Sequence, residues 1–286
     1  MQTTGKNLKY DVAIPDSYLY GITEDIDKTL KVFQLARTLS IFRINNINIF
    51  HDKILNPSTY ERNFLSTILE YLDTPQYLRK KIYPMSEMLK TVGRLHPIRA
   101  PHHKNKVNIR YLKSGEIRVG IIEKKGGTLF VDIGLDYLIN YDGRFNQAGK
   151  KINVRLLRRN KQIRAVDVTE KELSNMFWGY SVRYFPDLKT IVDRYNPSNL
   201  ILTSKYSKHF DKQEFQTEIS GNVKADATIL VMFGSPKYGL DMIFAKEGVD
   251  IQRYHSYNFF PFQGTQTIRL EEAVLGVLSI LNSCVK

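Results

Sequence analysis

Cysteine is almost missing from this chain: Cys284 is the only one in 286 residues. That excludes an internal disulfide framework and any metal site built on several thiolates. Long apolar runs are missing as well. No segment approaches the roughly 18 uninterrupted apolar residues of a membrane span, and the opening MQTTGKNLKYDVAIPDS has no apolar core of signal length. We therefore expect a soluble, intracellular, cytoplasmic protein without a membrane partner. GxGxxG does not follow the first strand pattern, and GxxxxGK[ST] and HExxH do not occur, so dinucleotide, P-loop and zincin sites are not indicated. His102-His103 is the one weak metal pair, and no metal is expected.

Acidic side chains are in deficit, 29 against 42 basic, for a net charge of +13. The excess is concentrated. Arg94 to Glu170 holds 17 basic and 7 acidic residues, ten charges of the net thirteen. A polyanionic partner, nucleic acid, is the simplest reading, against the alternative of general surface charging. The hydrophobic content of 42% is enough for a substantial core in one or two domains.

The first third alternates strand and helix patterns. VAIPDS (Val12–Ser17) reads as a short strand ending in turn chemistry. Thr23 reads as a helix cap, with Glu24, Asp25 and Asp27 in the first turn and Leu30, Phe33, Leu35, Ala36 and Leu39 as the apolar stripe. IFRINNINIF (Ile41–Phe50) alternates as a strand should, and a helix fits Thr59–Leu72. Thr74 and Pro75 read as N-cap and first residue of a further short helix.

At Gly93 the texture changes. Pro97, Pro101 and the basic, histidine-bearing run after them read as a linker, and beyond it the period becomes two. GEIRVGIIEKKGGTLFVDIG predicts a hairpin turning at Gly126-Gly127, and GKKINVRLLRRNKQIRAVDV predicts a second. Four or five short strands in about 75 residues point to a small OB-like barrel. Its basic surface would track a phosphate backbone, with Arg99, His102, His103, Lys104, Arg155, Arg158, Arg159 and Lys161 as candidate nucleic-acid contacts. After Trp178–Phe185 the α/β rhythm resumes, with NLILTSK, ATILVMFGSP and SYNFFPF as strands and helices around Leu188–Tyr195, Tyr238–Glu247 and Glu271–Leu281. The expected architecture is an α/β domain of residues 1–92 and 169–286, its mainly parallel sheet covered by helices on both faces, with the barrel inserted at 93–168.

Ligands of open α/β sheets bind beyond the carboxyl ends of the strands. Three such loops stand out: Thr203-Ser204-Lys205, FGSPKYGL (Phe233–Leu240) and PFQGTQT (Pro261–Thr267). Gly, Ser and Thr there expose backbone amides and admit a ligand closely, although ordinary strand-to-helix loops use the same residues.

Arg43 within IFRI, FGSPKYGL and NFFPFQGTQTIRLEEAVLGVLSILN, together with VAIPDS, YLDTPQYLRKKIYP, IRAPHH and WGYSV, resemble the motifs of the SPOUT superfamily of trefoil-knotted RNA methyltransferases. The branch that matches best is archaeal and eukaryotic and carries an inserted OB-like domain. The likeness spans nearly the whole chain, the barrel matching in pattern only. It implies a knot formed by the C-terminal strands and helix, a homodimer, and S-adenosylmethionine held by Thr203, by Phe233, Gly234, Ser235 and Gly239, and by Asn258, Phe260, Phe262, Gly264, Thr265 and Ile268. Lys205 and Tyr206, and the bulky Phe260 and Phe262, depart from the residues expected at their positions. Arg43, placed by its strand pattern between Phe42 and Ile44, is the first choice for orienting a nucleotide or phosphate, against an outward salt-bridged residue. Arg269 would steady substrate, Gln263 would read a base edge, and Glu272 is either a proton acceptor or a partner of the helix dipole. The expected function is S-adenosylmethionine-dependent methylation of RNA, with ribosomal RNA as the expected target, at uridine N3 or a ribose 2′-hydroxyl. The alternative is a catalytically silent RNA-binding or ribosome-assembly factor on the same scaffold.

Overall fold

A computed structural model describes residues 8–105, 109–159, 162–173, 176–220 and 227–284. The strands are β1 (Lys9–Pro15), β2 (Asn46–Phe50), β3 (Ile117–Lys125), β4 (Thr128–Asp132), β5 (Ile139–Tyr141), β6 (Lys151–Arg159), β7 (Gln162–Asp167), β8 (Ser181–Phe185), β9 (Leu200–Thr203), β10 (Thr228–Met232) and β11 (His255–Tyr257). The helices are α1 (Asp25–Ile41), α2 (Thr59–Asp73), α3 (Gln76–Ile82), α4 (Glu170–Leu173), α5 (Leu188–Val192), α6 (Lys212–Glu214), α7 (Leu240–Lys246) and α8 (Leu270–Cys284). They divide into two compact units, Met1–Glu70 with Tyr180–Lys286, and Tyr71–Gly179.

The first unit is built on a six-stranded, all-parallel sheet in the order β11-β9-β10-β1-β2-β8. One row of residues crosses it: His255, Ile201, Val231, Val12, Ile47 and Val182. Strands covered on both faces need nearly continuous apolar sequence, and Val12, Ala13 and Ile14 of β1 and Ile229 to Met232 of β10 are fully buried. Leu188, Ile191, Leu240, Ile243 and Phe244 of α5 and α7 pack on Ala13, Leu200, Leu202, Leu230 and Met232. Helix α1 runs beside α8, where Lys31 reaches the buried carboxylate of Glu271 at 3.4 Å.

Helix α1 extends further than its pattern suggests and takes Ile41, assigned above to a strand. Leu39 to Ile41 stay helical, and the chain turns at Arg43, whose φ is 55°. The Ile44 amide donates to the Leu39 carbonyl at 2.9 Å, the long bond of a Schellman cap, with Arg43 where glycine is usual. The strand therefore begins at Asn46, not Ile41. Similarly, α1 is preceded by Glu24, not Thr23, and α3 by Pro75, not Thr74.

The second unit closes five strands into a barrel in the order β3-β4-β5-β7-β6. Every pair is antiparallel except β5 with β7, the connectivity of an OB-type barrel. The β3–β4 hairpin turns at Gly126 and Gly127, φ 53° and 81°, as its sequence predicts. Ile152, Val154 and Leu156 of β6 point into the barrel core, leaving Lys151 and Arg158 exposed. Leu78 of α3 packs on Val119 and Ile121, so this unit starts at Tyr71, ahead of the Gly93 texture change.

Candidate functional site

The three loops singled out above leave β9, β10 and β11, which are neighbours in the sheet with β9 between the other two. Their carboxyl ends lie on one edge, so the loops converge. The β9 and β11 loops are stitched together. Ser204 N–H donates to Tyr257 O at 3.1 Å, Asn258 N–H to Lys208 O at 2.7 Å and Phe210 N–H to Asn258 O at 2.9 Å. Asn258 adds its side chain, donating from Nδ2 to Lys205 O at 3.0 Å and accepting from the Phe260 amide at 2.9 Å. Thr203 Oγ1 ties β9 to β10 by donating to Met232 O at 2.9 Å. Beneath them Tyr257 donates to Glu214 at 3.0 Å, and burial followed by that carboxylate pushes its phenol well above the usual range.

The β10 loop starts with Phe233, whose amide donates to Ala13 O at 3.0 Å. Ser235 closes the turn: its amide donates to Tyr238 O at 2.8 Å and its hydroxyl accepts from the Tyr238 amide at 2.9 Å. Gly234 has no room for a side chain. A Cβ there would stand 2.9 Å from Tyr238 O and 3.1 Å from both Gly239 Cα and Leu240 N.

The β11 loop is the exposed wall. Phe260 lies over Gly276 of α8, where a Cβ would come within 2.5 Å of its ring. Phe262 is 92% exposed, and nothing lies within 4 Å of where a Gly264 Cβ would be. Thr265 Oγ1 donates to Thr267 O at 3.0 Å, and Ile268 is half-buried ahead of α8. Gln263 spends its side-chain amide inside the loop, on Thr265 O at 2.9 Å and Gln266 O at 3.2 Å. The Glu272 carboxylate accepts from the Arg269 amide at 2.9 Å, a capping contact at the start of α8.

Arg43 does not join this edge. It stands four residues before Ile47, at the amino end of β2, whereas Thr203 lies two residues beyond Ile201 in the same row. Its unusual placement is that of a helix cap in solvent, not of a strand residue facing a ligand.

On the same edge as the loops, beyond β1, β2 and β8, lies a polar cluster that the sequence pattern did not single out. Asp16 is fully buried, accepts from the Asp52 amide at 2.9 Å, and lies 2.8 Å from His51 Nδ1 and 3.7 Å from Arg62 Nε. Ser17 donates to Asp52 at 2.6 Å, and the Arg62 guanidinium lies over Tyr184. Burial raises the Asp16 carboxyl, with the Asp52 amide, His51 and Arg62 opposing it incompletely. The available signal was the Pro-Asp-Ser and His-Asp sequences at the ends of β1 and β2.

In the second unit Arg99 and Arg158 are exposed and Lys104 is half-buried. Arg155 is held by Glu172 at 2.6 Å. The Arg159 side chain and Lys161 lie outside the described residues. His102 needs correction as an RNA contact: only 2% exposed, it turns inward to Asp73. His103 also turns to the Asp73 carbonyl, at 2.9 Å. Among the described residues no helix is long and apolar enough to cross a membrane.

The comparisons with known proteins agree with one another. The chain is 27% identical to a 28S rRNA (uridine-N(3))-methyltransferase of Homo sapiens, over 97% of this chain and 78% of that protein. It is 26% identical to the protein of the same name from Drosophila melanogaster, over 94% of this chain but only 61% of the fly protein's length. An uncharacterized protein of Haloarcula marismortui matches at 24% identity over 94% of this chain and 97% of its own. Residues 9–281 match the family described as "Putative RNA methyltransferase", a span that takes in both units, and the chain belongs to that family.

Proposed function

We propose that this protein is an S-adenosylmethionine-dependent methyltransferase that modifies N3 of a uridine in ribosomal RNA. The observation that carries it is the convergence of the β9, β10 and β11 loops on one sheet edge in a chain of this family. The names of the human and fly relatives support the uridine target.

The residues present fit the cofactor. Gly234 is a position where a Cβ would meet only backbone, and Phe262 and Gly264 leave an aromatic face and an open main chain. These suit a flat heteroaromatic ring that needs apolar contact and edge hydrogen bonds. Thr203, Phe233, Gly234, Ser235 and Gly239 would hold one side, and Asn258, Phe260, Phe262, Gly264, Thr265 and Ile268 the other. When bound, the cofactor supplies an electrophilic methyl group. The chain's part is then positioning, since in-line displacement rewards a nucleophile held near its target. Gln263 shapes the loop, and Arg269, exposed ahead of α8, is suited to an RNA phosphate. The barrel unit, with Arg99 and Arg158 exposed, would grip RNA.

The reading includes a homodimer and a C-terminal knot. Leu30 and Ile41 of α1 and Leu275 of α8 are 45%, 56% and 44% exposed on two helices that run side by side, a surface suited to a second copy. The step from β10 to β11 passes β9, as a knotted path requires.

Calorimetric titration of the full chain with S-adenosylmethionine should show one site per chain. Incubation with unmodified ribosomal RNA should then yield 3-methyluridine by nucleoside mass spectrometry. Absence of cofactor binding would remove the enzyme reading, and a methylated ribose in place of the base would redirect the target atom.

A further inference from the structure

We propose that Asp73, His102 and His103 form a binding site for a zinc-class divalent transition-metal ion within the Tyr71–Gly179 unit. The three come from the end of α2 and from the turn after Pro101, 29 residues apart along the chain. One donor atom from each lies within 4.8 Å of the other two. His102 Nε2 is 2.9 Å from the Asp73 carbonyl oxygen and 3.1 Å from its Oδ1, and His103 Nε2 is 2.9 Å from the same carbonyl. An ion bound at about 2.0–2.1 Å in tetrahedral geometry separates its ligands by roughly 3.3 Å. His102 Nε2 and Asp73 Oδ1 are thus at ligand spacing already, and the His103 donor lies within 4.8 Å of both.

Counting donors points the same way. His103 has a carbonyl oxygen at each ring nitrogen, Ile98 at Nδ1 and Asp73 at Nε2. A neutral imidazole carries one N–H and satisfies one of them. With the hydrogen on Nδ1, directed to Ile98, the Nε2 lone pair points at the Asp73 oxygens, an arrangement that a bound cation satisfies. A metal-bound histidine adopts this arrangement, with the distal N–H on a backbone carbonyl.

The surroundings are those of a built site. His102 is 2% exposed, its Nδ1 has no hydrogen-bond partner among the described residues, and the rings of Phe177 and Trp178 lie 6.1 and 6.2 Å from it. Such an apolar wall limits water access and strengthens metal–ligand bonds. Gly179, at φ 91°, admits the carboxylate: a Cβ there would stand 2.6 Å from Asp73 Oδ1. Two imidazoles and one carboxylate select zinc or its neighbours over calcium or magnesium, which take oxygen ligands. The Asp73 carbonyl or a water would complete the shell. The ion would fasten the end of α2 to the turn that carries Lys104, a structural role.

The test uses the full-length protein after chelator treatment, with Co²⁺ and then Zn²⁺ as probes. Expected are one Co²⁺ per chain with the visible absorption bands of a four- or five-coordinate ion, displacement by Zn²⁺, and a thermal midpoint raised by Zn²⁺. His102→Asn and His103→Asn should each weaken zinc binding by more than the 10–100-fold typical of an outer-shell partner, whereas Cys284→Ser should leave it unchanged. Wild-type protein that neither develops cobalt bands nor gains stability with Zn²⁺ would overturn the site, whether or not the variants fold. So would binding that the two histidine variants retain.

Discussion

His51 Nδ1 lies 2.8 Å from the fully buried Asp16 carboxylate, at the sheet edge where β1 and β2 end. Burial raises the Asp16 carboxyl above its usual value, so the folded state holds that proton more tightly than the unfolded chain does. Its contribution to stability is therefore fully present below about pH 4 and is lost as pH rises through the elevated folded value. Asp16→Asn abolishes the titration. The variant's thermal midpoint minus that of the wild type should become more positive between about pH 4 and pH 7. A difference that is flat or falls with pH would contradict this account of the cluster.

Gly234→Ala and Gly276→Ala should behave differently. At Gly234 the atoms nearest the new methyl are all backbone, so we expect a loss of about 1–3 kcal/mol together with weakened cofactor binding. At Gly276 it meets the far edge of the Phe260 ring, which can swing, and alanine gains up to about 1 kcal/mol in helix propensity. Gly276→Ala should thus keep its thermal midpoint while S-adenosylmethionine affinity falls. Equal effects of the two substitutions on both quantities would show that the loops do not act as described.

Arg43→Gly should stabilise the protein by about 1 kcal/mol, because a non-glycine residue in the left-handed region costs about 1–2 kcal/mol. Cofactor affinity should not change, since Arg43 stands at the opposite edge of the sheet. Denaturant unfolding and calorimetry decide both points. Loss of methyl transfer with cofactor binding intact would show that Arg43 serves a second subunit or the RNA.

Arg99→Ala with Arg158→Ala should lower RNA affinity and flatten its salt dependence. Each phosphate contact on single-stranded RNA contributes about 0.7 to the slope of log K against log salt, so the pair should remove about 1.4. An unchanged slope would take the barrel's exposed arginines out of the RNA interface.

Much of the fold was legible because its signals are local. The apolar strings of β1, β9 and β10, the glycine pair between β3 and β4, and the stripe of α8 each announce their element. What was misread depends on partners distant in sequence or on a backbone conformation that residue type does not signal. Ile41–Phe50 alternates like a strand, yet Ile41 ends α1 and Phe42 caps it, and the stop comes from a left-handed arginine where glycine would have been recognised. His102 and His103 sit in a basic, proline-bearing stretch that looks solvated, and only Asp73, at the end of α2, draws them inside. Edge strand β8 was not distinguished, since Ser181 to Tyr184 are only partly covered. At the candidate site the three loops were visible from their composition, whereas the commitments of Gln263 and Glu272 to neighbouring backbone required coordinates.

The order of the strands along the chain bears on how the protein is made. β1 is flanked in the sheet by β2 and β10, and Thr228 of β10 lies 219 residues after its partner Lys9. On the ribosome the N-terminal strand therefore emerges long before one of its two neighbours exists. The barrel unit is one continuous stretch, Tyr71–Gly179, and can close while the sheet of the other unit is still incomplete. Pairing over such a separation carries a loop-closure cost before any contact repays it, so assembly of the sheet should set the pace of maturation.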